Sequence, residues 1–168
     1  MRYPAVVTRE DGHVFADFPD CEGCHTFAER GQSIEDRAKE ALESWLESCL
    51  VDGSLPPQPT AKPRGEVLWV DLDADLSLKL QLRWARDAAG LTQARLAELA
   101  GVSQQMVAKL ESPRYHPRLD ALEGIARALG VRLSVELRKP TATVRRSRVS
   151  KPLRAAAKRA PKRSKARA

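Results

Sequence analysis

The chain has 168 residues, 42% hydrophobic and 30% charged, with a formal net charge of +7. That length accommodates one average domain or two small ones. No apolar run approaches the ~18 residues of a membrane span, and the stretch through Arg9 has no apolar segment or cleavage site of a secretory signal. A cytoplasmic protein with reduced thiols is therefore expected, and an odd count of three cysteines argues against a disulfide framework. Charge is spread unevenly. Residues 1–62 carry six basic and twelve acidic side chains, residues 63–137 ten of each, and residues 138–168 thirteen basic and none acidic. Such asymmetry predicts three segments that face different partners.

In chain order, Tyr3 to Thr8 and His13 to Phe18 are β-prone runs joined by Glu10-Asp11-Gly12, a hairpin signal because a type I′ turn needs positive φ. Pro19 to Gly23 predicts a loop, and His25 to Ala28 a third strand. Ser33, with an acid three residues on, predicts a helix start. Ala38, Ala41, Leu42, Trp45, Leu46, Cys49 and Leu50 then fall on one helical stripe that Gly53 ends. Four prolines make 53–65 an extended connection, and Val67 to Val70 predicts a further strand of the first sheet. From Leu78 to Leu129 the period is helical, in four short pieces. Val131 to Leu137 alternates like a closing strand, and the low-complexity remainder is expected to be disordered.

Cys21-Glu22-Gly23-Cys24-His25 spells a covalent haem attachment site. Its context disagrees. Haem attachment requires export, a thioredoxin-type pair opens a helix rather than joining two strands, and structural zinc needs four ligands where this stretch offers three. No metal and no cofactor are expected, with Cys24 a small buried apolar residue and Cys21 a loop residue.

The ordered set Glu10-Asp11-Gly12, Phe18-Pro19-Asp20, Gly23-Cys24, Gly31-Gln32-Ser33, Trp45-Leu46 and Leu55-Pro56-Pro57-Gln58-Pro59 resembles the HicB antitoxin family across residues 1–73. The resemblance implies a partial RNase H-like fold that binds and occludes a HicA-type toxin, a small cationic mRNA-cleaving protein. It also implies a homodimer or tetramer. The acidic balance of residues 1–62 suits such a partner, because complementary potential raises association rate and selectivity. Asp17, Phe18, Asp20 and Glu22, at a strand end and the loop after it, are the candidate toxin contacts.

"LTQARLAELAGVSQQMVAKLE", residues 91–111, reads as two capped helices across a tight turn. Thr92 caps the first, Gly101 breaks it, and Ser103 caps the second. Setting aside the apolar positions Leu96, Ala97, Ala100, Val107 and Leu110 leaves Gln104, Gln105, Ala108 and Lys109 on the outer face of the second helix. A helix fits the major groove, and a glutamine side chain can make a bidentate contact with adenine. Gln93, at a helix N-terminus, can reach a phosphate. With "GIARALGV" at 124–131, this stretch resembles the Cro/phage-repressor (XRE) helix-turn-helix family from Leu78 to Val131. The resemblance implies base-reading roles for Gln104, Gln105 and Lys109 and a structural ion pair between Arg86 and Glu111. Thr92, Gln93, Ser103 and Arg114 complete the candidate DNA-binding set.

The expected fold is α+β: a small antiparallel sheet with one packed helix (1–73), an all-α helix-turn-helix domain (75–137) and a disordered basic tail (138–168). The expected function is a non-enzymatic antitoxin that binds a HicA-type toxin and represses its own operon through operator DNA, with no membrane partner. Two alternatives are a transcriptional regulator whose front module senses a ligand, and a two-metal nuclease using Asp11, Asp17 and Asp20, whose convergence nothing in the sequence fixes. Because phosphate contacts release counterions, deleting residues 139–168 should flatten the salt dependence of DNA binding and leave sequence preference intact. Titrations at several salt concentrations test this, and an unchanged salt slope counts against the tail's role.

Overall fold

The computed structural model describes residues 1–136 and the backbone of residues 144–146. Strands β1 (Arg2–Glu10) and β2 (His13–Asp17) form the hairpin. Its turn places Asp11 at φ 48° and Gly12 at φ 82°, the two positive angles that an Asp-Gly pair supplies at little cost. Strand β3 (His25–Ala28) pairs outside β2, and β4 (Glu66–Asp71) pairs on the other side of β1. A short β5 (Val144–Arg146) lies beyond β4, giving the all-antiparallel order β3-β2-β1-β4-β5.

Helix α1 (Ile34–Asp52) covers one face of this sheet. The Ser33 hydroxyl accepts from the Asp36 amide at 3.1 Å, and Gly53 closes the helix at φ 76°. Period-two alternation directs Tyr3, Ala5, Val7, Ala16, Leu68 and Val70 inward, against the α1 stripe of Ala38, Leu42, Leu46 and Leu50. The two periods meet in one dry layer, which is what holds the front module together.

The loop after β2 is folded into that layer. Phe18 N–H donates to Cys24 O at 3.1 Å, Cys21 N–H to Phe18 O at 3.0 Å and Cys24 N–H to Cys21 O at 2.9 Å. Phe18, Cys21 and Cys24 are all buried. Burial is the main force pushing the Cys21 thiol up to about 12 and the Cys24 thiol up to about 11. At neutral pH both are therefore thiols packed in an apolar layer. Among the described residues, no three His, Cys, Asp or Glu side chains gather as a metal site.

The Pro-rich connection is extended but fastened down. Tyr3 donates its hydroxyl to Pro57 O at 2.6 Å, and Asp20 Oδ1 accepts from the backbone N–H of Thr60 (3.1 Å) and Ala61 (2.8 Å). The chain then enters α2 (Ala74–Ala88), which starts ahead of the Leu78 onset suggested by periodicity. Helices α3 (Gln93–Ala100), α4 (Gln104–Glu111) and α5 (Leu119–Ala128) follow. A second core forms from Leu82, Leu96, Ala97, Val107, Leu110, Leu122 and Ile125. Helix α2 serves both cores, because Leu76 and Leu80 are buried in the front one.

One expectation needs correction. Residues 131–136 are not a strand: Val131 and Val135 are exposed, and the segment carries no ladder. Alternation selects a face, but a strand also needs a pairing edge, and β5 occupies the outer edge of β4. Of the basic tail, only the backbone of residues 144–146 is described, and the rest lies outside the described residues. Replacing Asp20 with alanine would leave the Thr60 and Ala61 donors without their acceptor, at a cost of about 1–3 kcal/mol. A urea titration checks this, and an unchanged midpoint would show that Asp20 does not hold the connection.

Candidate nucleic-acid interface and front-module face

Helix α4 owes its position to caps and core on either side. Thr92 Oγ1 accepts from Arg95 N–H at 3.1 Å to start α3, and Gly101 ends it at φ 66°, which lets the chain turn sharply. Ser103 Oγ then accepts from Met106 N–H at 3.2 Å to start α4. Both hydroxyls are thus committed to caps. Val107 and Leu110 face the core, while Gln104, Gln105, Ala108 and Lys109 form an exposed stripe. This convex, polar, uncommitted face has the dimensions and donors of a major-groove reading helix.

The C-terminal end of α4 is gripped by a buried cluster. Arg86 donates from Nε to Glu111 Oε1 at 2.6 Å and from Nη2 to Glu111 Oε2 at 3.0 Å, a two-pronged pair. Its Nη1 donates to Leu91 O at 2.6 Å, fixing the turn between α2 and α3. Gln93 Nε2 also donates to Glu111 Oε2, at 3.0 Å. One amide hydrogen of Gln93 is therefore spent inside the protein. Burial works to raise the Glu111 pKa, but the hydrogen bonds from Arg86 and Gln93 more than offset it, so the carboxyl lies below its ordinary value.

Arg114 is exposed in the loop between α4 and α5. That loop is anchored by Lys79, whose fully buried side chain donates to Asp75 Oδ2 at 2.5 Å and to Pro113 O at 2.9 Å. His116 Nδ1 lies 3.3 Å from the same Asp75 oxygen. Sequence reading passed over Lys79 and Arg83. Arg83 donates from Nη1 to Glu111 Oε2 at 3.2 Å, and also to Gly53 O. The available signal was spacing: 79, 83 and 86 fall on one helical face.

The front-module candidates divide. Asp17 and Glu22 are exposed on the rim of a shallow concavity also lined by Val6, Pro19 and His25. Phe18, only 3% exposed, packs in the front core beneath that concavity. Asp20 is half-buried and uses its Oδ1 to hold the Pro-rich connection. Neighbouring Asp17 and His25 face each other across β2 and β3.

An α+β module joined through a shared helix to a capped helix-turn-helix with an exposed polar stripe defines a DNA-binding protein of the two-module type. Residues 82–135 match the helix-turn-helix family. An uncharacterized HTH-type transcriptional regulator of Methanothermobacter thermautotrophicus is 45% identical over 53 residues, covering 32% of this chain and 77% of that one. Antitoxin HicB 1 of Photorhabdus laumondii is 28% identical over 138 residues, covering 82% of this chain and 87% of the relative. A solved HicA3 and HicB3 toxin-antitoxin complex superposes at a TM-score of 0.39 with 24% identity, covering 44% of this chain and 99% of the matched one. The chain belongs to the helix-turn-helix family, and over four-fifths of its length it is similar to a HicB antitoxin. Among the described residues no helix is long and apolar enough to cross a membrane.

Glu111 is a depressed carboxyl, so its ionised form stabilises the fold. That stability is complete above the ordinary glutamate value of about 4.3 and is lost as pH falls through the lower folded-state value. Glu111→Gln should flatten the acid limb of urea midpoint against pH. Glu111→Ala should cost about 3–5 kcal/mol, because Arg86 is then buried without a counter-charge. Identical acid limbs in wild type and Glu111→Gln would exclude this role.

Proposed function

We propose that this chain is a HicB-type antitoxin that masks a cationic, RNA-cleaving toxin of HicA type with its front module and represses its own promoter with its rear one. The reading is carried by one observation above the others. The capped helix α4 exposes Gln104, Gln105 and Lys109 together while its opposite side is buried in a closed core. Homology to HicB antitoxins over 82% of the chain supports the antitoxin half.

The steps follow from the groups present. A basic toxin is drawn to the acid-rich front module, where Asp17 and Glu22 stand exposed beside a shallow hollow. The α3 N-terminus, with Thr92 and Gln93, settles on the phosphate backbone and sets the register. The two glutamines and Lys109 then meet base edges. Arg114, carried on the loop pinned by Lys79, adds a backbone contact. The protein acts by binding in both modules, in the cytoplasm, and as a dimer that presents two reading helices to two half-sites. Chemistry by this chain itself is not part of the reading, since Asp20 is held by the backbone of Thr60 and Ala61 rather than turned toward a second carboxylate.

The test separates the two halves. Replacing Gln104, Gln105 and Lys109 together with alanine should reduce binding of the promoter duplex to the level of unrelated DNA, a loss on the order of 10³-fold. The same variant should still protect cells that express the neighbouring toxin. Retained promoter preference would sink the assignment of the reading helix. Loss of protection, or no toxin complex even for the wild type, would favour a regulator whose front module senses a ligand.

A further inference from the structure

A helix-turn-helix that follows a separately built module could swing freely, but here the joint after β4 is tied at several points. The α2 N-cap is held by α1: Asp73 N–H donates to Glu43 Oε1 at 2.9 Å, and Lys39 Nζ meets Asp73 Oδ1 at 2.5 Å. The helix then buries Leu76 and Leu80 in the front core. One turn further, Trp84 packs against that core and donates its indole N–H to Pro56 O at 2.6 Å. Arg83, largely buried, places its guanidinium between the Gly53 carbonyl, at the α1 C-cap, and the Glu111 carboxylate, at the last residue of α4.

We propose that Arg83 and Trp84 are positioning residues for DNA reading, which lock the front module and the reading helix into one body and so set the angle at which α4 is presented. The inference rests on the DNA-binding role of α4 proposed above. Arg83 suits this task because both its acceptors sit at helix ends, one in each module, and one planar donor fork can serve the two together. It is also separable from the rear core. Glu111 keeps Arg86 and Gln93 when Arg83 is lost, so the helix-turn-helix retains its own buried cluster.

Specific and non-specific binding should respond differently. Base-edge contacts need the helix at a defined angle, so a loose joint must be ordered at the moment of binding. Phosphate contacts tolerate varied angles and depend mainly on charge. The double variant Arg83→Met/Trp84→Phe removes both donors, while Phe keeps an aromatic ring against the front core. Two readouts are taken on the full chain: affinity for the duplex upstream of its own coding sequence beside an unrelated duplex, and ¹⁵N relaxation of each module.

The expected result is a loss of about tenfold for the promoter duplex, the size of an ordering cost of about 1.4 kcal/mol at binding. Affinity for the unrelated duplex should change by less than about twofold, as expected when sequence-independent contacts are kept. In both proteins Leu76, Leu80 and Leu82 still tie α2 into the two cores. The wild type should therefore tumble as one rigid body, and the variant should add motion between the modules to that tumbling. Trp84→Phe with Arg83→Lys, which keeps one cationic donor, should recover part of the preference. A variant that keeps wild-type promoter preference and shows no added motion between the modules overturns this inference alone. A wild type without any promoter preference overturns the functional reading and this inference with it.

Discussion

Helix α2 is buried on two sides by two different cores, and most of the molecule follows from that. Leu76 and Leu80 belong to the layer between the sheet and α1, while Leu82 belongs to the helix-turn-helix. Each such leucine contributes about 1.5–3 kcal/mol on burial, so detaching either module from α2 exposes several kcal/mol of apolar surface. Neither core closes without the helix. A partner on the front module and a duplex on α4 therefore act on bodies that share a structural member, the physical condition for their free energies to be coupled and, by linkage, for the coupling to be reciprocal.

The proline-rich connection fits this picture once its hydrogen bonds are counted. Prolines bring no N–H donor, so a segment like this must use its carbonyls. Pro56 and Pro57 accept from Trp84 and Tyr3, and the donors of Thr60 and Ala61 go to Asp20. The connection is spread over the surface of the front module and works as a washer between the two cores. Its apolar rings and satisfied carbonyls let Trp84 pack where a polar linker would stay hydrated.

What could be read from the sequence was whatever rests on local periodicity and local caps. The Asp11-Gly12 turn, the Ser33 and Ser103 caps and the exposed stripe of Gln104, Gln105 and Lys109 each depend on residues within one helical turn of one another. What could not be read depends on partners far along the chain. Phe18 and Asp20 follow a strand end in a stretch rich in charge and glycine, the usual composition of an exposed loop. Yet Phe18 is drawn inward by the turn through Cys21 and Cys24, and Asp20 finds its donors forty residues away. Arg83 bridges Gly53 and Glu111, contacts that no window of the sequence contains. The stretch from Val131 shows the reverse failure: it alternates, yet residues 131–136 find no pairing edge.

The placement of Glu111 shows how much the reading helix depends on its surroundings. A carboxylate at the last residue of a helix meets the negative end of the macrodipole, and burial raises the cost further. Left to itself it would take up a proton or fray the end of α4. Three donors reverse that balance: Arg86 from the middle of the rear core, Gln93 from the start of α3, and Arg83 from the side of α2 facing α1. An apolar residue of similar size would fill the space at less electrostatic cost, as replacements of buried ion pairs often do. It would not, however, impose directions. The carboxylate gathers α2, α3 and α4 at one point through directed hydrogen bonds, and Arg83 links the same group to Gly53 O. A stable core alone would leave α4 free to rock on its leucines; the charged cluster removes that freedom, as the proposed reading of base edges requires.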